Sequence, residues 1–308
     1  MIEWLRVVGR SPGESGVVSE YTWAVTQAVV VALLWSSSYV LITIGLDEIP
    51  ALTFAGLRYT FAAAVLLPLF LHRGHHRTVR TLGWRDLGSL LLLGLLLYAV
   101  TQGAQFAALQ YLRAATVSLV LSFTPAVVAF LAAPMLDEPP SVRQWLWIGV
   151  LLLGASVYFY PFDLRTAALL GLAVMIVGLL ANSLSSVLGR RFNRDETLSP
   201  LAITTVSMGF GSGVLLTSGV ALQGLPPLSP QSWAIIVWLA VVNTAFAFTL
   251  WNRTLQTLSA TESSVINNTM LVQVAVLGWL FLGETLDGLG FVGLALVAVG
   301  AVGFQIFD

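Results

Sequence analysis

"ATESSVINNTMLVQVAVLGWLFLG", residues 260–283, decides how the whole chain is read. Its second half is a run of apolar residues; its first half sets Glu262, Ser263, Ser264, Asn267, Asn268 and Thr269 on the same continuous stretch. A helix needs about 20 apolar residues to cross the roughly 30 Å hydrocarbon core of a bilayer, so the run is long enough to span. Polar side chains cost free energy against lipid, so those of the first half face protein or a cavity.

The composition puts that helix in a membrane. Hydrophobic residues make up 57% and charged residues 9%, with a mean hydropathy of +0.88, whereas a soluble domain carries about a quarter charged residues. Apolar runs between charged or Pro/Gly-rich breaks give ten expected spans: 22–46, 50–71, 87–109, 114–136, 143–161, 166–189, 199–222, 231–253, 260–283 and 286–307. The polar segments left over, residues 1–21 and 72–86, are too short for a core of their own. The first apolar run is long enough to span and lacks a small-residue cleavage site, so no cleaved signal peptide is expected. The chain has no cysteine, which excludes disulfides and thiolate metal sites. A net charge of −1 gives no footprint for nucleic acid.

The chain has no lysine, so orientation rests on arginine. With the N-terminus cytoplasmic, Arg6, Arg10, Arg73, Arg77, Arg80, Arg85, Arg143, Arg190, Arg191, Arg194 and Arg253 fall inside, and Arg113 and Arg165 outside. By the positive-inside rule both termini are then cytoplasmic, in an inner or plasma membrane. Arg58 is left within the second span.

The chain repeats itself. "LQYLRAATVSLV" (109–120) aligns with "LQTLSATESSVI" (255–266), matching Leu109, Gln110, Leu112, Ala114 and Ser118 to Leu255, Gln256, Leu258, Ala260 and Ser264. Continued without gaps, the register brings Glu138 onto Glu284 and Gly154 onto Gly300, an offset of 284 minus 138, or 146. Five crossings separate the mates, an odd number, so the halves are expected to be inverted. Inverted repeats place a solute site near the midplane, where the halves meet. The expected fold is an all-α integral membrane protein of ten transmembrane helices in two inverted five-helix repeats, 22–161 and 166–307, after a cytoplasmic segment 1–21.

These residues carry a resemblance. "LLWSSSYVLITIGLDEIPALTFAGLRYTFAAAVLLPL" resembles the opening of an EamA-type half in the drug/metabolite transporter superfamily. "AATVSLVLSFTPAVVAFLAAPMLDEPPSVRQ" resembles the fourth helix of such a half, and residues 260–302 its second-half counterpart. One departure is Asp137, where the family's turn has glycine, as Gly283 does in the second half. The resemblance covers almost the whole chain and implies a transporter, often one exporting amino acids or related metabolites.

Polar residues mark the expected cavity. Tyr98, Thr101, Gln102 and Gln105 form one helical stripe. Ser118 and Ser122 of the fourth span have Ser264 and Asn268 as repeat mates; Asn267 adds a second amide. With Trp35, Ser38 and Tyr39 of the first span, Asn182 of the sixth, and Asn243 and Trp251 of the eighth, they form the expected solute-binding set. Interhelical hydrogen bonding alone is the competing reading for each. Pro125 frees the carbonyl of Leu121 and permits a kink.

Arg58 has two readings: partner of a substrate carboxylate, or structural arginine that snorkels or caps helix carbonyls. Glu262 likewise either couples protons or stabilises a helix N-terminus. His72, His75 and His76 lie in an arginine-rich loop and read as solvated, with no metal or other cofactor expected. "GFGSG" (209–213) reads as close helix packing, because no Lys-Ser/Thr follows it. The spans hold no histidine or cysteine, so Ser-His, Cys-His and His-metal catalysis are excluded and no enzyme is expected. With one basic group in the spans, a phosphorylated solute fits poorly; a small neutral or zwitterionic solute is the expected partner besides the lipid bilayer. Gly290, Gly293, Gly300 and Gly303 on the tenth span suggest a surface for another helix or a second copy.

Overall fold

The computed structural model describes residues 20–108, 111–112, 117, 120–136, 140–158, 160, 166–194, 198–281 and 288–306. Ser118, Glu138, Glu284, Arg113 and Arg165 lie outside these. Among the described residues every regular element is helical: α1 (Glu20–Leu46), α2 (Ala51–His72), α3 (Trp84–Ala108), α4 (Thr124–Leu136), α5 (Val142–Tyr158), α6 (Thr166–Arg194), α7 (Pro200–Gln223), α8 (Pro230–Thr254), α9 (Ala260–Phe281) and α10 (Gly288–Ile306), with a short helix, His75–Arg80, between α2 and α3. Seven of these, α1, α2, α3, α6, α7, α8 and α9, are long and apolar enough to cross a membrane. The expected spans 114–136, 143–161 and 286–307 lie partly outside the described residues; their described parts are the shorter apolar helices α4, α5 and α10.

Local chemistry sets the helix starts. Ser199 and Ser229 each cap a helix through the side-chain oxygen and are each followed by proline at the first helical position, where its missing N–H is not needed. Ser259 and Glu262 form a reciprocal capping box at the start of α9. Gly224, at φ 80°, ends α7 in a conformation that favours glycine.

The internal repeat recurs in backbone detail. Tyr111 N–H and Leu112 N–H both donate to Ala108 O, and Thr257 N–H and Leu258 N–H both donate to Thr254 O. Phe123 N–H donates to Val120 O where Thr269 N–H donates to Ile266 O, and Val127 N–H to Phe123 O where Gln273 N–H donates to Thr269 O. Each pair of mates is offset as 254 is from 108, by 146. The fourth span and α9 are therefore interrupted at the same place, at 122–123 and at Thr269. Pro125 follows that interruption in the first turn of α4, so the break precedes it rather than being a kink around it.

A second shared irregularity is a π-helical turn in α3 at Leu95–Thr101 and another in α8 at Val241–Phe246. In each a threonine hydroxyl fills the loosened ladder by donating five residues back: Thr101 to Leu96 O and Thr244 to Leu239 O, both 2.7 Å.

The mates also meet across the molecule. A Cβ added at Gly56 of α2 would strike the Leu216 backbone of α7, and one at Gly219 of α7 would strike Leu52 and Thr53, so α2 and α7 run antiparallel. Gly293, Gly300 and Gly303 of α10 meet Tyr158, Leu151 and Trp147 of α5 in the same reversed order. These three glycines thus pack against another helix of the same chain, one of the two packings expected of them. Between these pairs α1 packs on α8 and α9, and α6 on α3 and α4, the same relation seen from the other half.

Candidate functional site

Where α1, α3, α6, α8 and both interrupted helices converge, they enclose a central cavity of about 350 Å³. Its lining follows the repeat. Trp35, Ser38, Tyr39 and Ile42 on α1 stand 147 positions (182 minus 35) before Asn182, Ser185, Ser186 and Gly189 on α6. Gln102, Gln105 and Phe106 on α3 stand 146 positions (248 minus 102) before Phe248, Trp251 and Asn252 on α8, and Leu121 and Thr124 likewise precede Asn267 and Met270. Where the two interruptions meet, Asn268 Nδ2 donates to the carbonyl of its own mate Ser122, 2.7 Å away. An amide at that crossing satisfies a carbonyl the broken helix leaves open.

Of the residues expected at a solute site, Trp35, Ser38, Tyr39, Gln102, Gln105, Asn182, Trp251, Ser264, Asn267, Asn268 and Arg58 line this cavity. Tyr98, Ser122, Asn243 and Glu262 are not among its lining. Tyr98 is wholly buried against Tyr59 and Phe248, at ring distances of 5.4 and 5.2 Å. Ser122 offers its backbone to Asn268. Asn243 donates its amide to Leu34 O and to Ser37 Oγ, clamping α8 to α1. Glu262 closes its capping box, accepting from Ser259 N–H at 2.6 Å, and accepts from Tyr21 Oη at 2.9 Å. Sequence reasoning left Thr43, Tyr59, Thr124 and Phe248 out of the set, although they line the cavity; for Phe248 the usable signal was its place as the repeat mate of Gln102.

Arg58 is 3% exposed. Its Nε donates to Thr244 Oγ1 at 2.7 Å and its Nη2 to the Asn243 carbonyl at 3.3 Å, both in the π-helical turn of α8. The turn thus supplies a hydroxyl that accepts from arginine while itself donating to Leu239 O. Among the described residues no carboxylate pairs with Arg58, and its side chain lines the cavity.

One end of the cavity is tied across by hydrogen bonds. Arg190 Nη1 donates to Leu255 O at 2.6 Å and Gln256 O at 3.1 Å, while Asn193 Nδ2 donates to Asn252 Oδ1 and Asn252 Nδ2 to Thr204 Oγ1. The other end, at Leu46 and Phe106, adjoins a shallower cleft lined by Asp47, Glu48 and Pro50. Among the described residues no three His, Asp or Glu side chains gather as a metal site.

A family model, the EamA-like transporter family, matches residues 22–160 and again 169–305. The S-adenosylmethionine/S-adenosylhomocysteine transporter of Chlamydia trachomatis serovar L2 is 26% identical over 293 residues, 89% of this chain and 84% of that protein. The uncharacterized inner membrane transporter YedA of Escherichia coli K12 is 24% identical, covering 88% of this chain and 86% of its own. The uncharacterized transporter YyaM of Bacillus subtilis is 26% identical over 211 residues, 64% of this chain and 66% of that protein. A solved crystal structure matches with a TM-score of 0.77 at 18% identity, covering 92% of this chain and 99% of its own, a likeness of fold.

Proposed function

The chain belongs to the EamA-like transporter family, and from that premise we propose that it is a secondary transporter exporting small neutral or zwitterionic metabolites by alternating access. Amino acids and related compounds are the class to test first. Both termini are cytoplasmic in this reading, and ten spans form two inverted halves. The observation that carries it is the cavity lining: equivalent positions of the two repeats contribute to one chamber, and the mates α2 and α7 run antiparallel. A site shared by inverted halves is reached from either side when one half rocks against the other.

In this reading the hydroxyls and amides of the lining hold the solute, and Arg58 donates to its carboxylate from the guanidinium edge at Nη1, which makes no bond to the α8 turn. The relative named for S-adenosylmethionine and S-adenosylhomocysteine fits a cavity of this kind, since both are solutes with an amino-acid end. The test is counterflow in proteoliposomes with labelled amino acids, with and without a pH gradient. Uptake that is lost when Asn267 is replaced by leucine, in protein that still inserts and folds, is the expected result. Absence of uptake across the panel with folded protein removes amino acids as the solute class.

A further inference from the structure

Three pairs of repeat mates that line the cavity are equivalent in place but opposite in chemistry, whereas Ser38 and Ser185 are alike. On the α1/α8 side, Trp35 packs against Phe248 and Trp251, at ring-centroid distances of 4.7 and 5.2 Å, and makes an aromatic wall. The mates of those three residues on the α6/α3 side are Asn182, Gln102 and Gln105, so the equivalent positions there carry three neutral amides. Asn182 is held there by Nδ2 donating to Thr124 Oγ1 at 3.3 Å. Two lining residues also keep buried atoms without a hydrogen-bond partner, the donor Trp35 Nε1 and the acceptor Asn267 Oδ1, and leaving such groups unmade is costly.

An aromatic wall takes the face of a flat ring. Amides carry both donor and acceptor, so three of them together match an edge that alternates the two, whereas an ammonium would call for an acidic partner. We propose that the cavity takes a solute bearing a planar, hydrogen-bonding heteroaromatic ring of the nucleobase type, its face toward the aromatic wall and its polar edge toward the amides. The asymmetry gives the bound solute one orientation, which a chamber lined alike by both halves would not. This narrows the solute class of the proposed transporter and rests on the cavity being its transport site.

The test uses purified full-length protein with adenosine, phenylalanine and serine as probes: the first carries ring and polar edge, the second a ring without the edge, the third no ring. Binding is read by the ligand-induced rise in melting temperature in detergent, and transport by counterflow in proteoliposomes. Adenosine is expected to bind about tenfold or more tightly than the other two, the worth of one or two well-made hydrogen bonds. Gln102→Leu and Gln105→Leu, tested separately and checked for an unchanged melting temperature without ligand, are each expected to cut adenosine affinity and leave phenylalanine affinity where it was. Phenylalanine or serine binding as well as adenosine, or both variants binding adenosine normally, would overturn the proposal. Adenosine binding with no counterflow of any probe upholds the two-walled site and counts against transport; counterflow of serine or phenylalanine with no effect of adenosine does the reverse.

Discussion

Arg58 shows how a charge is kept inside this bundle. Its Nε reaches Thr244 Oγ1 and its Nη2 the Asn243 carbonyl, so an arginine of the first half is anchored in the π-helical turn of the second. Thr244→Val keeps shape but removes the acceptor, leaving a buried charged donor short of a partner. The expected loss is about 2–3 kcal/mol, read as a lower melting temperature in detergent; an unchanged melt would mean the bond is dispensable. At the surface Glu48 accepts from the hydroxyls of Ser229 and Ser232, at 2.7 and 2.6 Å, and ties the α1–α2 connection to the start of α8. The Ser232 hydroxyl first, then that of Ser229, holds this carboxyl below the usual carboxylate range. A depressed folded-state value stabilises above the unfolded value and ceases to as pH falls through the folded one. Wild type should therefore melt slightly above Glu48→Gln at neutral pH, and the gap should close in acid.

At the scale of elements, glycine decides how closely helices cross. Within "GFGSG" only Gly211 is pressed: a Cβ there would run into Gly94 O and Tyr98 of α3, while Gly209 and Gly213 have open space. Gly211→Leu is expected to abolish folded yield and Gly213→Ala to be neutral, measured by monodisperse protein recovered from membranes. The seven long helices were legible in the sequence, because long apolar runs are a local signal. The polar stripe of α3 was legible only in part. It was read at three- and four-residue spacing through Tyr98, Thr101, Gln102 and Gln105, but the π-helical turn at Leu95–Thr101 adds a residue to the winding. Gln102 and Gln105 reach the cavity, while Tyr98 turns into the packing with Tyr59. The turn in α8 likewise directs Asn243 toward α1, and no periodicity argument anticipates either. Phe248 was missed for a different reason: an aromatic residue in an apolar helix reads as core until its repeat mate, Gln102, is considered.

For the whole molecule, the 146-residue repeat noticed between residues 109–120 and 255–266 recurs in mirrored hydrogen bonds, in paired π-helical turns and in the meeting of Ser122 with Asn268. What one sequence does not show is which of the diverging mates line the cavity, and their divergence gives the cavity its two unlike walls. The central claim is that one cavity opens alternately to the two sides of the membrane. Since the chain lacks cysteine, single cysteines can report access without background: Thr43→Cys at the end near the α1–α2 connection, and Gly189→Cys at the end tied by Arg190, where the added side chain has room beside Leu255. Labelling by a membrane-impermeant thiol reagent in oriented proteoliposomes should reach position 43 from the outer side and position 189 from the inner side, with transported solute raising one rate as it lowers the other. Both positions labelled from the same side, or both rates moving together, would contradict alternating access.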